Sequence, residues 1–431
     1  MSVGLQRLRD EPDLLRRATA DKGEDPGLVD RALELDERRR RLLGEGDALK
    51  AERNDASRRI GEAVRAGADA DGPEVAELKA ASTGVAERLA ATDAKLATVQ
   101  AELDDAMLRI PNPADADVPV GGEEANVAVR SWGEPLPREA RRPHWELGES
   151  LGIIDNVRGA KITGSGWPVY VGAGSNLQRA LISWFLDVHT GENGMTEVWP
   201  PVLVNADSAR GTGQIPDKED QMYVVTRDDL YLIPTAEVPV TNLHRDEILD
   251  ADQLPIRYAA YSASFRREAG AAGRDTRGIL RVHQFDKVEM VSFVKPGESE
   301  AELEWLTERA ELLLQRLGLA YRVVLMSTRE MGFVQARKYD LEVWAPGAER
   351  WLEVSSVSNF RDYQARRMAI RHRPERGAKA ELVHTLNGSA LALPRTVAAL
   401  LETHQQPDGT VAVPDVLRPY FGGREVIGPQ A

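Results

Sequence analysis

Two stretches with the period of long helices, joined by a break too short to let them part, constrain this chain more than any other feature. From Pro26 to Arg65, Leu35, Leu42, Leu49, Ala56 and Ala63 recur at seven-residue intervals. After the break AGADADGP at 66–73, Val85, Leu89, Thr92, Leu96, Val99, Leu103, Ala106 and Ile110 alternate steps of four and three. That alternation is a heptad seam, and two glycines with a proline make the break a turn. The spacing predicts an antiparallel helical hairpin, an arm roughly 55–60 Å long at 1.5 Å per residue. Leu5, Leu8, Leu14 and Leu15 predict one or two short helices ahead of it. On periodicity alone a coiled coil that merely dimerises is the commoner outcome. Charge leans the other way. Residues 31–60 carry nine Lys/Arg against seven Asp/Glu, whereas 71–110 carry four against eight. The first helix, with Arg38 to Arg41, Arg53, Arg58 and Arg59, is thus the better phosphate-facing surface, although neighbouring acids offer i,i+4 partners to several of these arginines.

The rest of the 431 residues suffices for a full-sized core and about two or three domains in all. Net charge is 55 minus 69, or −14, which argues against a general nucleic-acid coat and requires any RNA to be met by local basic patches. With no cysteine, disulfides, thiolate zinc sites and cysteine nucleophiles are excluded, and a reducing, cytoplasmic location is the expectation. Neither a signal peptide nor an apolar run of ~18 residues is evident.

Ser264 to Met290, SFRREAGAAGRDTRGILRVHQFDKVEM, carries the chemistry. Short alternating runs flank a Gly-rich centre, which predicts two antiparallel strands joined by a long basic loop. Ser264, Arg266 and Glu268 fall on one face of the first strand, Phe265 and Arg267 on the other. In the second, Arg281, His283, Phe285, Lys287 and Glu289 fall together, with Val282, Val288 and Met290 behind. Arg offers phosphate a planar fork, Phe offers a base a flat apolar face, and Glu accepts from ammonium or amide donors. Gly270, Gly273 and Gly278 let the loop bend, and Arg274, Asp275 and Arg277 give it charge. A surface hairpin with solvated ion pairs would explain a lone RRE equally well.

The full pattern FRxEAGxxGRDTRGxxRxHQFDKVEM resembles motif 2 of class II aminoacyl-tRNA synthetases in its seryl-tRNA synthetase form. The resemblance implies an α+β chain: an N-terminal antiparallel helical hairpin, residues 1–110, that clasps the long variable arm of tRNA, then a linker at about 110–130. The catalytic domain, 111–431, would be a mostly antiparallel sheet flanked by helices. IPNPADADVPVGGEEANVAV at 110–129 fits that linker. A helix from about Asn176 to His189 and the strand TEVWPPVLV, with Pro201, resemble motif 1, which builds the dimer interface in class II enzymes; ordinary core would look much the same.

YLIPTAEVPVTN at 231–242 resembles the family's serine-binding loop, so Thr235, Ala236 and Glu237 would meet serine together with Arg266, Glu289 and Ser389. Residues 298–318 predict a helix and Tyr321 to Leu325 a strand. The segment 338–360 predicts a hairpin bearing Glu342 and Glu353, followed by Ser355 and Ser356. A carboxylate with a nearby hydroxyl is a hard-oxygen pair suited to Mg²⁺, and structural strand glutamates are equally plausible from the residues alone. The resemblance assigns Glu353 and Ser356 to ATP-bound Mg²⁺ and Val354 and Ser355 to ATP. The basic run 361–373 is a solvated patch or an RNA-end contact. HTLNGSALALPRTVAALLE, 384–402, resembles motif 3: an extended segment ending at Gly388, then Pro394 in the first turn of a helix and Arg395 facing an anion. Family members commonly have Gly at 394, cysteine at 264 and 357, and Asn-Tyr at 403–404.

Carried over position by position, Arg266 would hold the α-phosphate, Arg395 the distal phosphates and Arg281 the reacting groups; Phe285 would cover the adenine face, and Glu268 with the Val282 backbone its edge. Arg267 is included among the ATP ligands. The implied reaction joins L-serine to tRNA(Ser), and by extension tRNA(Sec), through seryl-adenylate, with ATP and Mg²⁺ but no zinc, in a homodimer. A paralogue activating serine for a carrier or pathway, or an inactive RNA-binding paralogue, are the competing readings. The first tends to lose the arm and the second its ATP ligands.

Overall fold

The computed structural model describes residues 3–139, 141–269 and 277–429. Gly270, Gly273, Arg274 and Asp275 of the basic loop lie outside the described residues. The chain divides into two units, Met1–Pro111 and Asn112–Ala431.

In the first unit, α1 (Leu5–Asp10) and α2 (Pro12–Asp21) precede α3 (Gly27–Arg65) and α4 (Pro73–Leu108). Pro73 is the first residue of α4 rather than part of the turn, since a proline there forgoes an N–H that has no partner anyway. The pairs Arg31–Glu102, Glu45–Thr92 and Glu52–Arg88 run in opposite directions along the two helices, so the hairpin is antiparallel. Leu35, Leu49, Val85, Leu89, Val99 and Leu103 are buried along the seam, while Leu42 and Leu96 are half-buried. The arginines of α3 are not equivalent. Buried Asp36 gathers Arg9, Arg39 and Arg40, and Arg58 pairs with Asp55. Arg38, Arg41, Arg53 and Arg59 are exposed and have no ion pair among the described residues.

The second unit is built on eight strands: β1 (Val127–Trp132), β2 (Thr196–Val198), β3 (Ile256–Phe265), β4 (Gln284–Val294), β5 (Tyr321–Leu325), β6 (Arg337–Ala345), β7 (Arg350–Asn359) and β8 (His384–Ala392). Their order is β1-β5-β6-β7-β8-β4-β3-β2. All neighbours are antiparallel except β2 and β3. The helices used below are α5 (His144–Ser150), α6 (Ala173–Asp187), α7 (Glu237–Thr241), α8 (Ser299–Arg316), α9 (Tyr363–Met368) and α10 (Leu393–His404). Leu181, Phe185, Leu306, Leu313, Leu400 and Leu401 from α6, α8 and α10 pack with Val288, Met290, Leu341 and Val357 in one apolar cluster. Strand β4 is buried along nearly its whole length because it is covered on both faces. Among the described residues no helix is long and apolar enough to cross a membrane.

Several expectations shift. The stretch 112–126 packs against the second unit: the buried Asn112 amide donates to the carbonyls of Val334 and Phe360, and Val118 is buried. TEVWPPVLV is two short strands, 196–198 and 203–205, because consecutive prolines supply no N–H to a ladder. The helix ahead of it is α6 followed by a π-turn at Val188–Glu192. The motif 3 strand continues through Gly388 to Ala392, held on both sides, since Gly388 sits opposite Met290 of β4 and Val357 of β7.

Candidate functional site

The face of the sheet where β4, β7 and β8 lie side by side is closed into a cavity of about 480 Å³. Its floor is set by strand alternation. On β4, Phe285, Lys287 and Glu289 point into it at every second residue, and on β8 Asn387 and Ser389 do the same. Glu289 stands opposite Ser389 in the antiparallel register.

One end is acidic and sealed. Glu289 is fully buried. It accepts from Asn387 Nδ2 at 2.7 Å and from Ser389 Oγ at 3.4 Å, and is ion-paired with Lys287 Nζ. Glu237, first residue of α7, is buried beside it and accepts from Gln364 Nε2 at 2.7 Å. Burial first, then repulsion from Glu289, pushes the Glu237 carboxyl up to about 7. The Thr235 oxygen accepts from Lys287 Nζ at 2.8 Å and from the Glu237 amide at 3.2 Å. With both lone pairs engaged, the hydroxyl has its hydrogen left to donate. That hydrogen is available to an acceptor oxygen of a bound molecule.

The other end is cationic. The Arg266 guanidinium lies 5.0 Å from the Phe285 ring centroid, and its Nε donates to Pro234 O at 3.3 Å. Arg281 pairs with Glu268. Arg395, in the first turn of α10, donates to Leu280 O at 3.1 Å and Glu353 O at 3.0 Å, and lies 3.5 Å from the Glu353 carboxylate. Pro394 occupies the helix start as an ordinary N-terminal proline, so its departure from the family's Gly does not disturb the entry of Arg395. The Glu353 side chain is 44% exposed, into the cavity. Desolvation would raise its carboxyl, but Lys338, Arg395, Arg266 and Lys287 together hold it below the ordinary value. Ser356 lines the same wall, and its hydroxyl oxygen has lone pairs to offer a cation. Val354 and Ser355 also line it; the Ser355 hydroxyl donates to Ser389 O at 2.6 Å and so ties β7 to β8. Among the described residues no three His, Cys, Asp or Glu side chains converge on a point.

Thus Thr235, Glu237, Arg266, Glu268, Arg281, Val282, Phe285, Glu289, Glu353, Ser356, Ser389 and Arg395 line one cavity. Two nominated residues do not. The Arg267 guanidinium turns outward to Asp220 O at 2.9 Å, and Ala236 is packed in the core with Val240 and Leu249. Arg266 and Glu268 face the cavity and Arg267 faces away, the division alternation predicts, although β3 itself ends at Phe265 and Glu268 takes a left-handed φ of 50°. Ser264 stands opposite Phe285 in the register, on the expected face, but is fully buried and is not among the residues lining the cavity. His283 precedes β4 and stacks on Trp167, ring centroids 5.6 Å apart, outside the cavity lining. Lys287 and Asn387 were legible as same-face neighbours of Glu289 and Ser389. Gln364 was not, since it reaches Glu237 across 127 residues of chain.

Residues 4–114 match the model for the seryl-tRNA synthetase N-terminal domain, and 223–404 the tRNA synthetase class II core domain (G, H, P, S and T). The serine–tRNA ligase of Thermomicrobium roseum is 53% identical over 430 residues, covering 99% of this chain and 95% of the relative. The chain belongs to the seryl-tRNA synthetase family. The serine–tRNA ligase of Geobacillus kaustophilus is 51% identical, covering 97% and 98%. Among solved structures, seryl-tRNA synthetase from Pyrococcus horikoshii complexed with ATP superposes with a TM-score of 0.92 at 38% identity, covering 99% of this chain and all of that one. The cytoplasmic enzyme of Naegleria fowleri, in complex with AMP, gives 0.87 at 28% identity over the full length of both. The fold of this family member is therefore a class II synthetase core with an N-terminal helical arm.

Proposed function

We propose that the chain attaches L-serine to tRNA(Ser), and to tRNA(Sec), at the expense of ATP. One observation carries the reading: a single cavity has a sealed acidic end for an amino acid and a cationic end with an aromatic plate for a nucleotide. Glu289 and Glu237 bind the serine ammonium and hydroxyl, with Ser389 and Asn387 beside them, and the Thr235 hydroxyl and Arg266 turn the carboxylate toward ATP. Phe285 covers the adenine, and Glu268 with the Val282 backbone takes its edge. Arg266 and Arg281 hold the α-phosphate region and Arg395 the distal phosphates.

A serine carboxylate oxygen attacks the α-phosphorus, a new O–P bond forms, and pyrophosphate departs with the bridging oxygen. A ribose hydroxyl at the tRNA 3′ end then attacks the carbonyl carbon; AMP leaves and the hydroxyl proton passes to solvent. No side-chain nucleophile is needed, because the protein's part is to position and to neutralise developing charge. Glu353 and Ser356 would be the oxygen donors for Mg²⁺, which usually takes one or two carboxylates and completes its shell with phosphates and water. When bound it would screen the polyphosphate charge.

Purified protein should catalyse ATP–pyrophosphate exchange with serine and not with alanine, because buried groups that need a hydroxyl partner reject a substrate lacking one. Equal exchange with alanine would refute the substrate assignment. Removing residues 27–109 should spare exchange and abolish charging of tRNA, since exposed Arg38, Arg41, Arg53 and Arg59 of α3 are the phosphate-facing cations; charging that survives the deletion would refute the arm's role. We also assign a homodimer. Trp199 is 80% exposed, with Val202 and Leu203 beside it also exposed, an apolar surface of the sort that marks interfaces. Sedimentation should give twice the chain mass, and a monomer at micromolar concentration would refute it.

A further inference from the structure

A fully buried polar contact in the second unit ties several chain segments together. His144 and Glu402 are both fully buried, with Nδ1 and Oε1 2.7 Å apart. The same Oε1 accepts the His144 amide at 2.9 Å, and Oε2 accepts the amides of Gly347 and Ala348 at 2.9 and 3.0 Å. Four donors on two oxygens satisfy the carboxylate and place the imidazole proton on Nδ1. The Nε2 lone pair then faces inward, 3.4 Å from the amide of Ile279. The packing there leaves no slack: a Cβ on Gly278 would stand 2.2 Å from His144 Nε2, and one on Gly347 would stand 2.4 Å from Arg142 O. The strap holding His144 is fixed to the end of α10 by Arg141 on the carbonyls of Glu402 and Thr403, and by a reciprocal pair between Gln405 and the Arg142 backbone.

These contacts join three separate parts of the site. Ile279 precedes Leu280, whose carbonyl holds Arg395, and Arg281, which pairs with Glu268. Glu402 sits on the helix that begins beside Arg395. Gly347 and Ala348 form the turn of the hairpin that carries Glu353. We infer that His144 is a positioning residue for the adenylation step: through its two ring nitrogens it locks the chain entering β4 to α10 and to the β6–β7 turn, so that Arg281, Arg395 and Glu353 converge. This rests on the functional reading above.

The side-chain amides of Asn and Gln separate the two ring nitrogens. H144N keeps a group where Nδ1 meets Glu402 and loses the acceptor for Ile279; H144Q places a carbonyl near Nε2. Serine-dependent exchange, measured at 25 °C alongside thermal melting, should fall about 10- to 100-fold in kcat for H144N, from misplacement of reacting groups by a fraction of an ångström, with KM for ATP raised. H144Q should recover most of kcat. Equal kcat and KM in the wild type and H144N, or equal losses in H144N and H144Q with both folded, would overturn the inference. Should H144N not fold, E402Q decides it: an amide cannot accept from all four donors, so kcat should again drop, and an unchanged kcat would refute the role. Absence of exchange in the wild type would instead sink the functional reading.

Discussion

Replacing Arg266 with alanine should lower kcat for serine-dependent exchange about 10²- to 10³-fold, the usual loss when one preorganised donor to a developing anionic charge is removed. The fold should hardly notice. Arg266 is not a structural ion pair; its side chain makes one hydrogen bond among the described residues, at 3.3 Å to Pro234 O, and otherwise lies over the Phe285 ring. Melting within a degree or two of the wild type is therefore expected. Lysine at this position retains a charge but not the planar fork that spans two oxygens, so R266K should fall between the two. Exchange within threefold of the wild type in the alanine variant would remove Arg266 from the phosphate site. A large stability loss would mean that the guanidinium serves packing.

The second large effect couples stability to activity at Glu237. A carboxyl moved from its ordinary 4.5 to about 7 by burial and by Glu289 costs the folded state about 3 kcal/mol once both states are ionised. The sign follows from the direction of the shift. Below about pH 4 both states are protonated and the cost is absent. Between about 4.5 and 7 the unfolded chain has released a proton that the folded chain keeps, so stability falls as pH rises; above about 7 the full cost remains. E237Q stays neutral throughout and keeps an acceptor for Gln364 Nε2. It should melt several degrees above the wild type at pH 8 and with it at pH 4. The same change removes a counter-charge from the serine ammonium, so KM for serine should rise roughly 30-fold, the equivalent of about 2 kcal/mol for a hydrogen bond to a charged group. In the wild type, KM for serine should fall as pH climbs through 7. A variant that gains no stability at pH 8 would show that the carboxyl is not strained in the empty site.

How much of this was legible along the chain depends on whether the signal was local. The helical arm follows from a heptad period, because each seam position is fixed by its neighbours three and four residues away. Phe285, Lys287 and Glu289 follow from a period of two inside a real strand, as do Asn387 and Ser389. The same rule misplaced His283, for the strand starts only at Gln284 and outside a ladder nothing enforces alternation; Arg267 was named through the resemblance, although alternation had already put it on the face opposite Arg266 and Glu268. Ala236 was named through its neighbours, yet its methyl is core.

The amino-acid sequence by itself determined the family, the paired long helices and the set of chemical groups available to bind a nucleotide and an amino acid. Tertiary structure alone decided their electrostatic state and their supports. Glu237 is raised because it is buried and because Glu289, 52 residues on, shares its dry end of the cavity, and Lys287 contacts Thr235 and Glu289 in place of solvent. His144 matters because residues 258 and 135 positions away close around its two nitrogens. Burial and long-range register set desolvation and hydrogen-bond partners, and neither is a property of any window of sequence.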